Sequence, residues 1–165
     1  MSSPLTRRLP CTTWERPQRG QADLSLPHFD TSALIKLIFE GSGSELAIEL
    51  WDRADLLVSS QLVSPEARAA LAAAARASRI DQSTQVTAVA TLEELHAQLR
   101  IIAVDEPLAR HAGDLAAEYA LRGYDAVHLA CALQVQGHDI LLATWDNALN
   151  AAARATGRLI ANDTP

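Results

Sequence analysis

Four carboxylate side chains have types and positions that point to chemistry: Asp30, Glu66, Asp125 and Asp146. Asp30 ends a short apolar run, and Asp146 follows the most apolar segment of the chain, residues 140–144. Glu66 and Asp125 fall in the expected first turns of two helices. Carboxylates crowded together raise one another's pKa unless a cation is present, and all-oxygen ligands favour Mg²⁺, with Mn²⁺ as a substitute. Such a site can activate water for phosphodiester hydrolysis.

These acids meet only if the chain folds around a parallel sheet, and the hydrophobic pattern predicts one. Apolar runs alternate with amphipathic stretches, an order that gives a parallel sheet covered by helices on both faces. The carboxyl ends of parallel strands lie along one edge, where functional groups gather. This order brings three of the acids to that edge, and Asp125 joins them if its helix begins there. Strands are expected at residues 26–29, 55–59, 99–103, 140–144 and 159–161.

Capping residues mark the expected helix boundaries. Thr31 and Ser32 are expected to cap the first helix, and Ser64 to cap the third, with Pro65 at its first position. Gly123 is expected to break the chain between two later helices. Helices are predicted at residues 33–39, 45–53, 65–77, 82–98, 105–121, 124–135 and 147–154.

Composition describes one globular domain with an acidic body. Of 165 residues, 48% are hydrophobic and 21% are charged, values that exclude disorder over most of the length. Residues 1–26 carry four Arg against Glu15 and Asp23, a net charge of +2, and are interpreted as a disordered leader or an over-called start. Residues 27–165, the expected domain, hold ten basic and eighteen acidic side chains, a net charge of −8. That balance excludes a nucleic-acid binder that relies on bulk positive charge.

Other classes of protein are excluded or disfavoured by the same sequence. It contains no apolar run long enough for a membrane span and no signal peptide, and its two cysteines, Cys11 and Cys131, cannot form a disulfide scaffold. A cytoplasmic protein is therefore expected. Gly41-x-Gly43 lacks the third glycine of a dinucleotide-binding turn. His128 and Cys131, three residues apart, are better explained as a half-buried pair on an apolar helix than as metal ligands.

The four acids also have a purely structural interpretation. Asp and Glu are favoured in the first turns of helices because they accept hydrogen bonds from free amides and suit the helix dipole. Taken singly, each acid fits this role better than that of a metal ligand. Taken together, their expected convergence makes a shared metal site an equally good explanation. From the residues alone, both interpretations stay open.

Four segments of the chain resemble a known family. In order and at suitable spacing they are similar to the PIN-domain ribonucleases, above all to the VapC toxins of bacterial toxin–antitoxin pairs. The resemblance covers residues 27 to about 161, and it departs from the family in the long leader and at His28, where an apolar or aromatic residue is common. The segments are FDTSALIKL at 29–37, SS and SPE at 59–60 and 64–66, LRGYDAVHLA at 121–130 and ATWDNAL at 143–149.

The resemblance implies a three-layer α/β/α sandwich with a central parallel sheet, and a Mg²⁺-dependent endoribonuclease acting on tRNA, rRNA or mRNA. Asp30, Asp125 and Asp146 would bind the metal, and Glu66 would hold a water or complete the metal's shell. Ser32 and Thr144 match small polar positions that support the site, although each is equally explained as an ordinary cap or strand-end hydroxyl. The resemblance also implies a homodimer and inhibition by a VapB-like antitoxin.

Two alternative functions remain beside the toxin. The first is a PIN-like binding or scaffold module whose acids no longer support turnover. The second is a Mg²⁺-dependent phosphatase of small molecules.

A docking surface for the antitoxin is expected on the first two helices. Both carry apolar faces and only the turn at residues 41–44 separates them. Together they offer more apolar surface than one contact with the sheet requires. By resemblance, the pair would form a groove for an antitoxin helix, lined by Leu34, Leu37, Ile38, Leu46, Leu50 and Trp51.

Overall fold

Five parallel strands form one sheet within the computed structural model, which describes residues 26–135 and 140–161. The parallel arrangement agrees with the expected sheet. The expectations for residues 1–25, including Cys11, lie outside the described residues. The strands are β1 (Leu26–Phe29), β2 (Val58–Ser60), β3 (Arg100–Ile102), β4 (Ile140–Ala143) and β5 (Leu159–Ile160). Their order across the sheet is β3-β2-β1-β4-β5.

Helices connect the strands, and each predicted helix is present with shifts of a few residues at its ends. Among the described residues none of them is long and apolar enough to span a membrane. The helices are α1 (Thr31–Ile38), α2 (Ser44–Arg53), α3 (Val63–Arg76), α4 (Gln82–His96), α5 (Glu106–Tyr119), α6 (Gly123–Gln134) and α7 (Asn147–Ala155).

Two apolar cores, one on each face of the sheet, make the molecule a three-layer α/β/α sandwich. Alternate residues of a strand point to opposite faces. Leu142 of β4 accordingly packs with Leu129 of α6, whereas Phe29 of β1 packs with α1–α4 residues such as Leu92. Helices α5–α7 therefore cover one face, and α1–α4 cover the other. The predicted fold class is confirmed.

The sheet register places the ends of two central strands side by side. β1 pairs with β4, and Phe29 is opposite Ala143. The next residues along these strands are Asp30 and Thr144, which therefore leave the sheet together at its carboxyl edge. The prediction that Asp30 lies at this edge follows from the chain order and is met.

Two predicted helix starts, those of α1 and α3, are wrong in detail. The residue that caps α1 is Asp30, whose carboxylate accepts from the Ala33 N–H, and Thr31 is already helical. A carboxylate one residue earlier satisfies the free amides, so the hydroxyls are released for other contacts. Helix α3 starts at Val63, and Ser64 lies inside its first turn. Pro65 is tolerated there because first-turn amides have no intrahelical acceptor.

The break between α5 and α6 is also placed differently from the prediction. Ala120 adopts a left-handed conformation with φ of 53° and ends α5, while Gly123 is the first residue of α6. The N–H groups of Ala120 and Leu121 both bond to the Ala116 carbonyl, which satisfies a carbonyl at the helix end. Strand β2 is shorter and later than predicted, at 58–60 instead of 55–59.

Candidate functional site

Asp30 is a buried carboxylate held by three hydrogen bonds. Its Oδ1 accepts from the backbone N–H of Ala33 at 2.8 Å and from the Ser32 hydroxyl at 2.7 Å. Its Oδ2 accepts from the Thr144 hydroxyl at 2.5 Å. Burial raises the pKa of Asp30, and the nearby His128 and the three hydrogen bonds oppose that rise. Asp30 is therefore costly to ionise unless a positive charge is near.

The two hydroxyls predicted to support the site join Asp30 to the loop that follows β4. Ser32 accepts a hydrogen bond from the Trp145 N–H at 2.7 Å, while Thr144 accepts one from the Asp146 N–H at 3.0 Å. Each hydroxyl thus donates to Asp30 and accepts from the loop. This arrangement uses both capacities of each hydroxyl and fixes Asp146 relative to Asp30.

Asp146 lies at the start of α7, where its Oδ1 accepts from the Leu149 N–H at 2.9 Å and caps the helix. The cap leaves Oδ2 for other contacts. Asp30 and Asp146 therefore both cap helices, which is the structural role that the sequence suggested for these acids. That role engages only part of each carboxylate's accepting capacity.

Glu66 projects from the first turn of α3 and caps nothing. Its Oε2 accepts from the Thr31 hydroxyl at 2.8 Å and from His128 Nε2 at 2.9 Å. The side chain is 20% exposed, against 2% for that of His128. Both lone pairs of Oε2 are taken by these contacts, so Oε1 is the oxygen left for a ligand or a water.

Asp125 completes the group because α6 begins at the same edge of the sheet. Desolvation by burial raises the pKa of Asp125, and the negative charges of Asp146, Glu66 and, more weakly, Asp30 raise it further, while Arg122 opposes them. These influences place the other three acids within electrostatic reach of Asp125. Asp125 makes no cap for α6. Capping therefore accounts for two of the four acids and not for the others.

The donor set suits a hydrated divalent cation. In the described part of the chain, no three His, Cys, Asp or Glu side chains are grouped closely enough to hold a metal by themselves. Mg²⁺ is usually held by one or two carboxylates, with water filling the remaining positions. Asp30 retains a lone pair on Oδ2 and Asp146 retains Oδ2 after the hydrogen bonds above. These residues therefore fit a cation that keeps several water ligands better than a cation held by protein oxygens alone.

Sequence reasoning missed the residues that hold Glu66. Thr31 was expected to cap a helix, and His128 was expected to be half-buried beside Cys131. His128 is 1% exposed and contacts Glu66 and His28, while Cys131 is fully buried and burial raises its pKa to about 12. One signal was available: His128 follows Asp125 by three residues, so both lie on one face of α6.

Part of the expected docking surface is core. Leu34 and Ile38 belong to the apolar core beneath α1, and Trp51 is 7% exposed. Trp51 packs edge-on against Phe29, with ring centroids 5.2 Å apart. A helix of this fold must bury one face on the sheet, and these side chains form that face. Leu37, Leu46 and Leu50 remain half-buried.

The chain is similar to known proteins in both sequence and fold. A sequence profile described as the PIN domain matches residues 29–155. Ribonuclease VapC45 of Mycobacterium tuberculosis is 44% identical over 138 residues, which cover 84% of this chain and 96% of that protein. The crystal structure of PAE2754 from Pyrobaculum aerophilum has a TM-score of 0.62 at 22% identity, over 84% of this chain and 85% of that one. A toxin–antitoxin complex from Klebsiella pneumoniae has a TM-score of 0.52 at 22% identity, over 74% and 86%.

Proposed function

This chain belongs to the PIN-domain family and, within it, to the VapC-type proteins, and we propose that it is a Mg²⁺-dependent endoribonuclease toxin. One observation carries the proposal: four carboxylates from four segments share one edge of the sheet, where burial raises the pKa of Asp125 and the charges of the other three acids raise it further. The relative named as a ribonuclease supports the choice of RNA as substrate. The candidate substrates are tRNA, rRNA and mRNA.

The hydrogen bonds of each side chain indicate its role in the proposed reaction. Asp30, Asp125 and Asp146 would hold Mg²⁺, or Mn²⁺ in its place, and the Ser32 and Thr144 hydroxyls keep Asp30 and the 145–146 loop in register. When bound, the cation supplies positive charge that stabilises the phosphodiester's transition state. Glu66 presents Oε1 to a water, because its Oε2 is fixed by Thr31 and His128. The carboxylate then accepts the proton that this water releases as it attacks phosphorus.

Cleavage by the purified chain tests this function. We expect RNA cleavage with Mg²⁺ and none with a chelator. Asp30→Asn and Asp146→Asn should each lower the rate ~100-fold or more, the size expected for the loss of charge that supports a transition state. Asp114→Asn is the matched control, since Asp114 is exposed on α5.

Each contrary outcome has a defined meaning. Equal activity in both site variants and the wild type would refute the site assignment. Absence of cleavage with any divalent metal would favour the catalytically silent PIN-like module. Release of phosphate from small esters without RNA cleavage would instead favour the phosphatase.

The partner in this proposal is a VapB-like antitoxin that contributes an amphipathic helix. A groove between α1 and α2 supports it, lined by apolar atoms of Leu37 and Ile48 and bordered by Lys36 and Glu40. The similar fold in a complex described as toxin–antitoxin supports the same kind of partner. Such a helix would present apolar residues at spacings of three and four.

The proposal also includes a homodimer of this chain. Light scattering measures that oligomeric state directly.

Co-expression with the candidate antitoxin tests the groove. Ile48→Glu should weaken the complex while cleavage persists, because Ile48 is half-buried on α2 and lines the groove. Trp51→Glu is unsuitable because Trp51 is core, and a charge there would unfold the chain. Val86→Glu on α4 is the control, since Val86 is 66% exposed and lies outside the groove. Full binding by folded Ile48→Glu would place the interface elsewhere.

A further inference from the structure

Two buried histidines form a chain of hydrogen bonds that ends on Glu66. His28 lies on β1 and His128 on α6. Both residues are buried, with 0% and 1% of their surface exposed. His28 Nε2 is 3.1 Å from His128 Nδ1, and His128 Nε2 is 2.9 Å from Glu66 Oε2. The rings meet edge to face, with an angle of 82° between their planes. The chain thus runs from the centre of the sheet to the edge that carries the acids.

The directions of these hydrogen bonds follow from an ionised Glu66 and two neutral imidazole rings. An ionised Glu66 can only accept, so His128 Nε2 carries a proton and donates. A neutral His128 ring then has a bare Nδ1 that can only accept, so His28 Nε2 must donate to it. The proton of a neutral His28 therefore sits on Nε2, and its Nδ1 is a bare acceptor.

An unpaired atom supports this direction. Among the described residues, His28 Nδ1 is one of two buried side-chain nitrogen or oxygen atoms without a hydrogen-bond partner. A neutral ring leaves an unpaired lone pair there, whereas a charged ring would leave an unpaired N–H carrying positive charge. The second arrangement is much more costly in a dry interior. The surroundings of His28 thus select the neutral ring protonated on Nε2.

We propose that His28 and His128 are positioning residues for Glu66: His28 holds the His128 ring in place by donating to its Nδ1, and His128 anchors Glu66 Oε2 so that Oε1 faces the reacting water. This inference rests on the proposed function of Glu66. A free Glu side chain has several rotatable bonds, and holding it in one geometry costs rotamer freedom. A rigid imidazole supplies that restraint from the core, and Thr31 supplies a second contact to the same oxygen.

The first test needs no variant and no activity. Nitrogen-15 NMR of the histidine rings in the metal-free wild-type protein reports which nitrogen carries the proton. We expect both His28 and His128 protonated on Nε2 and bare on Nδ1. A His128 ring protonated on Nδ1 alone would overturn the inference, whether or not the protein cleaves RNA.

The second test separates positioning from a structural role. His128→Leu should lower kcat ~10–100-fold, the range for a residue that orients a catalytic ligand, while KM for RNA stays unchanged. His128→Gln should recover most of that loss, because its amide can donate from nearly the same place as Nε2. His28→Leu should lower kcat by a smaller factor, because His128 Nδ1 loses its donor while Glu66 still holds the proton on Nε2. His111→Leu, at an exposed residue of α5, should match the wild type.

The outcomes distinguish this inference from the function it rests on. Wild-type kcat in folded His28→Leu and His128→Leu would overturn the positioning role. So would equal losses in the Gln and Leu variants of His128 at unchanged melting temperature. A wild-type protein that cleaves no RNA would refute the proposed function. The NMR measurement would still decide the direction of the hydrogen bonds from His28 through His128 to Glu66.

Discussion

The Thr144 hydroxyl donates to Asp30 Oδ2 at 2.5 Å across the ends of two neighbouring parallel strands. The pairing of Phe29 with Ala143 one residue earlier sets this contact. The same hydroxyl accepts from the Asp146 N–H at 3.0 Å. One side chain therefore fixes two acids of the site, and sheet register, more than local helix structure, determines their separation.

Thr144→Val tests this contact, since valine keeps the shape and removes the hydroxyl. We expect a loss of ~1–3 kcal/mol in the free energy of unfolding, because a buried carboxylate loses a donor. Thr144→Ser keeps the donor and should lose less. Urea denaturation measures both variants, and equal stability of the valine variant and the wild type would contradict the assigned contact.

Asp125→Asn should stabilise the metal-free protein at neutral pH. The pKa of Asp125 is raised in the folded state, so its charged form destabilises that state wherever the carboxylate is ionised. The destabilisation is present above the raised pKa and disappears as pH falls towards the ordinary value of about 4. The melting temperature in chelator, measured against pH, should show a gain at neutral pH that shrinks on acidification. Asp114→Asn is the matched control, since Asp114 is exposed on α5.

Gly43→Ala should destabilise the fold, and Gly41→Ala should not. Gly43 has φ of +86°, and a Cβ there would lie 2.2 Å from Trp145 Nε1. A left-handed alanine costs ~1–2 kcal/mol before the indole has to move. Around Gly41 nothing lies within 4 Å of such a Cβ. Because Trp145 precedes Asp146, the Gly43 variant should also lose cleavage activity; unchanged stability in urea would refute the close approach.

Cys131 should be unreactive in the native protein. Burial raises the pKa of its thiol to about 12, and the thiolate is the reactive form. In a Cys11→Ser variant Cys131 is the remaining thiol. A thiol reagent at mildly alkaline pH should modify it only after denaturant is added. Rapid modification of the folded protein would show that α6 opens.

The architecture could be predicted from the sequence because apolar runs such as residues 140–144 alternate regularly with amphipathic stretches. Three acids could be placed at one edge for the same reason. The chain from His28 to His128 to Glu66 could not, since it joins residues 100 and 62 positions apart through sheet register and helix rotation. Nor could periodicity decide whether Trp51 faces the core or a partner, because an amphipathic helix shows the same pattern in both cases.

Calorimetric titration with Mn²⁺ tests most directly whether the four acids act as one cation site. We expect saturable binding to the wild-type protein, and a loss of affinity of ~10-fold or more in Asp125→Asn, Asp30→Asn and Asp146→Asn alike, since each removes a charge that a shared ion would use. Asp114→Asn should bind as the wild type does. Saturable binding that is unchanged in all three site variants, or no binding to the folded wild type, would contradict the central claim.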